Sequence, residues 1–250
     1  MAKTVLITGA TSGFGEATAE KFANTGYKVI ITGRRMDRLE AFKAKFPKSD
    51  ILPLCFDIRD KKAVFDAIAS LPEAYKNIDI LVNNAGLALG LGHADEASLD
   101  DWEIMVDTNI KGLLYMTKAV LPVMVTRKTG YIFNLGSTAG SWPYEGGNVY
   151  GATKAFVKQF SLNLRTDLKG TNIRVTNIEP GMAQTEFSDI RFKGDHSKAD
   201  SVYANTKPLE KEDIAQTIFT LAELPAHINV NRIEIMPTVQ SYGPLVVERS

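Results

Sequence analysis

Seven short apolar runs, most of them rich in β-branched residues, recur along the chain at residues 4–7, 28–32, 51–56, 80–82, 131–135, 173–178 and 232–236. Longer stretches with apolar residues at helical spacing separate most of them, over residues 16–24, 37–46, 61–71 and 212–224. A strand followed by a helix and then another strand pairs in parallel with its successor, because the helix carries the chain back to the starting edge. Several runs lack polar alternation, the pattern of strands covered on both faces. The order therefore predicts an α/β fold: one doubly wound, Rossmann-like domain over residues 1–250, with a parallel sheet of about seven strands between two layers of helices.

Two further helices are expected to be long. Ser98, followed by Leu99, Asp100 and Asp101, reads as the cap of a helix running through Asn109 towards residue 125. The other runs from about Tyr150 to Leu168 and stops at Gly170. The helix at 212–224 is entered through Pro208 and an acidic first turn. Residues 183–207, which include Phe187, Arg191, Phe192, Lys193, Gly194 and Asp195, follow neither period; aromatic residues within the stretch make it a functional loop or lid rather than a linker. No repeat or low-complexity tract divides the chain.

The 29 basic residues balance 29 acidic ones. A net charge of zero supplies no attraction to a polyanion, so nucleic acid and anionic membranes are poor partners and a small molecule is favoured. The longest apolar stretches, such as 119–125, fall far below the ~20 residues of a membrane span. Cys55, the single cysteine, reads as a small core residue, and a lone thiol suits a reducing, cytoplasmic location. His93, His196 and His227 are scattered, so no metal site is expected.

After the first run comes Thr8-Gly9-Ala10-Thr11-Ser12-Gly13-Phe14-Gly15, followed at once by helical Glu16. Gly9, Gly13 and Gly15 let the backbone turn tightly and approach a pyrophosphate, whose charge suits the unpaired N–H groups at a helix N-terminus; Thr11, Ser12 and Phe14 share that turn. The Gly-x3-Gly-x-Gly spacing departs from the usual dinucleotide fingerprint, and glycines also occur between strand and helix for packing alone.

The second run ends in Arg34 and Arg35, where an NAD-preferring fold places a carboxylate for the ribose hydroxyls. Two guanidiniums instead suit a 2′-phosphate, which favours NADP(H); the bland alternative pairs one arginine with Asp37 or Glu40. The third run leads to Asp57 and Ile58, the fourth to Asn84, Ala85 and Gly86, again at carboxyl ends that face the ligand crevice of such a sheet. Asp57 either accepts from the adenine amine or caps the helix at Lys61.

Tyr150 and Lys154 stand four residues apart on an expected helix and so share a face. A phenol titrates near ~10 and is a poor base at neutral pH; a neighbouring ammonium is expected to lower that value, and a cationic nicotinamide to act in the same sense. Ser137, at the end of the fifth run, points a hydroxyl at the same crevice, where it can hold a substrate oxygen while Tyr150 transfers a proton. A serine hydrolase is disfavoured because Leu135 stands where a nucleophile elbow needs glycine. A sensor that binds the nucleotide without chemistry is disfavoured by the joint presence of Ser137, Tyr150 and Lys154.

Together these residues resemble the short-chain dehydrogenase/reductase family over nearly the whole chain. The resemblance rests on the glycine turn, Asn83-Asn84-Ala85-Gly86, Asn109, Ser137, Tyr150-x3-Lys154 and Pro180-Gly181-x3-Thr185. It implies that Tyr150 is the acid/base, Ser137 positions the reacting oxygen, Lys154 also binds the nicotinamide ribose and Asn109 holds a relay water. Pro180, Gly181 and Thr185 would border the carboxamide, and a homotetramer is implied. The segment 137–150 and the run from Arg191 to Asp195 look like the NADP-dependent 3-hydroxy acid dehydrogenases. That narrower likeness implies hydride exchange with L-serine, L-allo-threonine, 3-hydroxypropionate or malonic semialdehyde, with a broad NADPH carbonyl reductase as the alternative. Arg191 on the lid would then anchor the substrate carboxylate, unless it is a solvated loop charge.

Overall fold

The computed structural model describes residues 2–243, 247 and 248; the other residues of the tail 241–250, expected to reach a neighbouring subunit, lie outside it. Seven parallel strands form one sheet in the order β3-β2-β1-β4-β5-β6-β7. They are β1 (Thr4–Ile7), β2 (Lys28–Gly33), β3 (Ile51–Cys55), β4 (Ile78–Asn83), β5 (Gly130–Leu135), β6 (Ile173–Pro180) and β7 (Arg232–Ile235). All seven expected strands are present, and the order reverses beside β1, between β2 and β4. Loops diverge at that point, so a crevice opens at the carboxyl ends of β1 and β4.

One face of the sheet is covered by α1 (Gly13–Ala23), α2 (Met36–Lys45) and α9 (Lys211–Ala222), which with Val5, Ile7, Val29 and Ile31 bury one apolar cluster. On the other face α3 (Lys61–Ala69), α5 (Leu113–Arg127) and α6 (Asn148–Asp167) close over Leu6, Ile30, Leu81 and Ile132. Strands with apolar residues of both parities are thus buried on both sides. No helix among the described residues is long and apolar enough to cross a membrane.

Four local expectations change. The helix capped by Ser98, whose side chain accepts from the Asp101 N–H, is interrupted: α4 (Leu99–Val106) passes through a π-helical turn at Asp107–Gly112 before α5 begins. Hydrophobic spacing runs on through such a turn and does not reveal it. The cap of α9 is Glu210, in a reciprocal box with Asp213, and Pro208 lies outside the helix. Cys55 is exposed, not core. It ends the edge strand, where alternation turns it away from the partly buried Leu52 and Leu54 of the core. The stretch 183–207 holds two short helices, α7 (Glu186–Arg191) and α8 (His196–Ser201), the first capped by Thr185.

Candidate active site

The crevice is a cleft of about 410 Å3 at the carboxyl ends of the strands. Of the cofactor residues expected from sequence, Gly9, Thr11, Ser12, Gly13 and Phe14 line it from the first turn, and Arg34, Arg35, Asp57 and Ile58 from the next two strand ends. Asn84, Ala85, Gly86, Pro180, Gly181 and Thr185 close it from the far side, with Ser137, Tyr150 and Lys154 at its floor. Gly15 does not itself line the cleft. A Cβ there would lie 2.3 Å from the Gly9 carbonyl oxygen and 2.4 Å from Asn84 Nδ2, so it lets α1 pack against the turn.

The glycine turn is held by contacts that leave its mouth open. Thr8 Oγ1, which sequence reasoning missed, accepts the backbone N–H groups of Asn84 (3.0 Å) and Ala85 (2.9 Å) and so joins β1 to β4. Gly9 has φ +67°, and a Cβ there would meet Ala85 Cα at 2.9 Å. Ser12, at the N-cap of α1, gives no side-chain bond to the helix N–H groups. Those donors are thus uncapped at the cleft, as an anion requires.

At the other end of the cleft Arg35 donates to Thr11 Oγ1 (2.8 Å) and pairs loosely with Glu186 (3.8 Å), rather than with Asp37 or Glu40. Arg38, one helical turn on, meets the same Glu186 carboxylate at 3.0 Å, across the lid. Arg34 makes no hydrogen bond or ion pair among the described residues. Asp57 is not the cap of α3, a place taken by Asp60. It grips Arg59 through both carboxylate oxygens, and that pairing holds its carboxyl below the usual range. An open glycine cradle, uncapped helix donors and an unpaired guanidinium beside a second one fit a phosphorylated dinucleotide.

The reacting centre departs from the electrostatics expected of it. Tyr150 is buried, and desolvation pushes its phenol above the ordinary range; contact with Ser137 and the Arg191 guanidinium pull it back in part, while Tyr144 pushes it further up. Lys154 stands beside it. Its ammonium lies 5.8 Å from the Tyr150 ring centroid and donates to the Leu135 carbonyl at 2.7 Å. Burial also drives the amine itself down to about 8. Ser137 Oγ accepts the Ala139 N–H at 3.1 Å and lies 3.5 Å from the Pro180 carbonyl, which fixes it at the end of β5.

Asn109 lies behind the cleft rather than in it. The π-helical turn presents its carboxamide to Leu87, whose N–H and C=O it meets at 2.8 Å each, and to Thr153 Oγ1 at 3.0 Å. Both amide hydrogens are spent, so only acceptor capacity remains for a relay water. Gly86 separates it from Lys154: a Cβ at that position would be 3.2 Å from Asn109 Oδ1 and 3.4 Å from Lys154 Nζ.

The lid brings Arg191 to the same centre. Its guanidinium carbon lies 5.6 Å from the Tyr150 ring centroid. Its Nε donates to the Gly90 carbonyl (3.3 Å) and one Nη to the Tyr144 hydroxyl (2.6 Å). No carboxylate among the described residues pairs with it, whereas its neighbour Lys193 is spent on Asp101 at 2.8 Å. Phe187 packs on Tyr150 with ring centroids 5.6 Å apart. Tyr144 and Glu186 were not singled out as site residues in sequence, because what gives each its meaning is a contact with a residue 47 and 148 positions away.

A short chain dehydrogenase model matches residues 3–195. The chain belongs to that family. It is 59% identical over 247 residues, 98% of this chain and 99% of the other, to an NADP-dependent 3-hydroxy acid dehydrogenase, YdfG, of Salmonella typhi. It is 52% identical over 251 residues, all of both chains, to sulfoacetaldehyde reductase 2 of Chromohalobacter salexigens. Among solved structures, a closed form of serine dehydrogenase complexed with NADP+ superposes with a TM-score of 0.95 at 57% identity, covering 99% of this chain and 100% of that one. Serine dehydrogenase from Escherichia coli follows at a TM-score of 0.85 and 52% identity, covering 96% and 100%.

Proposed function

We propose that this family member is an NADP(H)-dependent oxidoreductase that exchanges a hydride with C3 of a small 3-hydroxy acid or its semialdehyde. The observation that carries the acid is Arg191: a guanidinium without a carboxylate partner among the described residues, 5.6 Å from the ring of Tyr150. A partly buried cation without a counter-ion is costly, and an acid group on the substrate supplies one. The substrates named for the two relatives, 3-hydroxy acids and sulfoacetaldehyde, share this logic, since each sets an anionic group one carbon from the reacting centre.

The glycine turn, the α1 N-terminus, Arg34 and Arg35 hold the pyrophosphate and 2′-phosphate, while Lys154, Pro180, Gly181 and Thr185 hold the nicotinamide end. Bound there, NADP(H) supplies or takes the hydride. Ser137 donates to the substrate oxygen and places it against the Tyr150 hydroxyl. A phenol raised by burial holds its proton at neutral pH, so Tyr150 is ready to give that proton to a carbonyl being reduced. In the oxidative direction it must release the proton, and the cations of Lys154, Arg191 and the oxidised nicotinamide favour that release. Asn109 receives the relay water through its remaining acceptor capacity. The same reading includes a homotetramer in the cytoplasm, which light scattering and fractionation test.

Turnover of NADP+ and NAD+ with L-serine, L-allo-threonine, 3-hydroxypropionate and neutral alcohols of the same length is the test. Higher kcat/KM with NADP+ and with the acids is expected. Equal turnover of acids and neutral alcohols would replace this reading with a broad carbonyl reductase.

A further inference from the structure

We propose that Glu186 and Arg38 form a clasp at the rim of the dinucleotide cleft, tying the lid to the glycine turn so that a bound cofactor is retained whether or not it carries a 2′-phosphate. This rests on the cleft being the site of NADP(H). The lid begins directly over the turn: a Cβ at Gly13 would lie 3.6 Å from the Thr185 Cβ. Thr185 caps α7 by accepting the Phe187 N–H at 3.2 Å, which fixes the residue between them, Glu186, at the start of the helix. From there its carboxylate reaches α2, where both oxygens accept from one nitrogen of Arg38, at 3.0 and 3.1 Å. The same nitrogen lies 3.3 Å from the Thr11 carbonyl oxygen. One guanidinium on α2 thus joins the turn and the lid, 27 and 148 positions away in the chain.

Three arginines stand at this rim, and their contacts divide the work. Arg34 and Arg35 line the cleft, whereas Arg38 does not. Arg35 gives one nitrogen to Thr11 Oγ1 at 2.8 Å and stays 3.8 Å from Glu186, so its fork remains open to a phosphate. Arg38 is committed to the lid carboxylate instead. Burial and the neighbouring charges of Arg38 and Arg34 lower the Arg35 guanidinium, and Glu186 counters them. The carboxylate therefore holds the cationic cluster together without taking the place of the phosphate. The far end of the lid is held separately, by Lys193 on Asp101 at 2.8 Å. Breaking the clasp loosens the lid over the turn alone, where the pyrophosphate enters and leaves. Both partners are half-exposed, which limits the pair to a few-fold effect.

The test is the dissociation of NADPH and of NADH, each read by stopped-flow as the loss of its bound-state fluorescence on mixing the complex with excess NADP+. Wild type, Glu186→Gln, Arg38→Met and the double variant are compared, and a thermal melt checks that each is folded. Each single variant is expected to release both cofactors roughly three- to five-fold faster, with association within about two-fold of wild type. The double variant is expected to be no faster than either single one, since both remove the same contact. Unchanged dissociation would overturn the clasp, and so would rates in the double variant that multiply the two single effects. Slower release of NADPH alone from Glu186→Gln would show that the carboxylate competes with the 2′-phosphate; faster release of NADPH alone would place the pair in the phosphate site. Either result overturns the proposal. A variant that does not fold would show the pair to be structural, with the same consequence. Wild type that binds neither dinucleotide would sink the cofactor reading itself and the clasp with it.

Discussion

The Lys154 ammonium, expected to activate the Tyr150 phenol, lies 5.8 Å from its ring centroid and donates to the Leu135 carbonyl at 2.7 Å. Its own burial is the larger electrostatic fact. Desolvation lowers the amine from 10.5 to about 8, so at neutral pH the folded protein keeps this charge at a cost that the unfolded chain does not bear.

The sign of that cost sets a stability prediction. Below about pH 8 both the folded and the unfolded chain carry the Lys154 proton, and the folded state bears the full penalty. Between about 8 and 10.5 the unfolded chain binds the proton and the folded chain does not, so this group makes stability rise with pH across that window. Lys154→Met should therefore stabilise the protein at pH 7 by on the order of 2 kcal/mol and remove that rise. Urea unfolding at several pH values measures both; an unchanged slope would show that the amine is not desolvated.

Tyr150→Phe should lower kcat by at least ~100-fold while NADPH binds nearly as in wild type, since the ring keeps its packing on Phe187. Ser137→Ala should lose ~10- to 100-fold, because one positioned donor is removed while the acid remains. Stopped-flow fluorescence separates binding from turnover.

Arg34 offers a cleaner probe of cofactor choice than Arg35. Arg35 also holds Thr11, so its loss disturbs the turn for any dinucleotide, whereas Arg34 has no such tie among the described residues. Arg34→Ala should raise KM for NADPH about ten-fold and leave KM for NADH nearly unchanged. Parallel increases for both cofactors would remove the 2′-phosphate from its neighbourhood.

Gly15→Ala and Gly26→Ala separate close packing from backbone strain. At Gly15 the added methyl would lie 2.3 Å from a backbone carbonyl oxygen, so the turn must shift; Tm and NADPH affinity should both fall, with a stability loss above ~2 kcal/mol. Gly26 has φ +80° and open space around its Cβ, so its alanine variant should cost ~1 kcal/mol and spare the cofactor. Calorimetry and a binding titration distinguish them.

The alternation of apolar runs with helical stretches was enough to read the sheet, since its central strands are covered on both faces and every connection between successive strands carries at least one helix. The glycine turn, Ser137, Tyr150 and Lys154 were legible for the same reason: strand ends converge on the crevice wherever the order reverses. Three features were hidden. Periodicity passes unbroken through the π-helical turn that orients Asn109. The spacing of Tyr150 and Lys154 fixes a shared helix face but not how dry that face is, nor that the Leu135 carbonyl accepts from the ammonium. The contacts of Arg191 with Tyr144 and of Arg38 with Glu186 join segments far apart in the chain, which only the folded arrangement brings together.

Hydride transfer in a single turnover tests the central claim most directly. Wild type and Tyr150→Phe, each saturated with NADPH deuterated at the transferring C4 position, are mixed with malonic semialdehyde. The account predicts deuterium at C3 of the 3-hydroxypropionate formed by wild type, and a transfer at least ~100-fold slower in the variant although both ligands bind. Transfer at the wild-type rate by the variant, or product without deuterium, would contradict it.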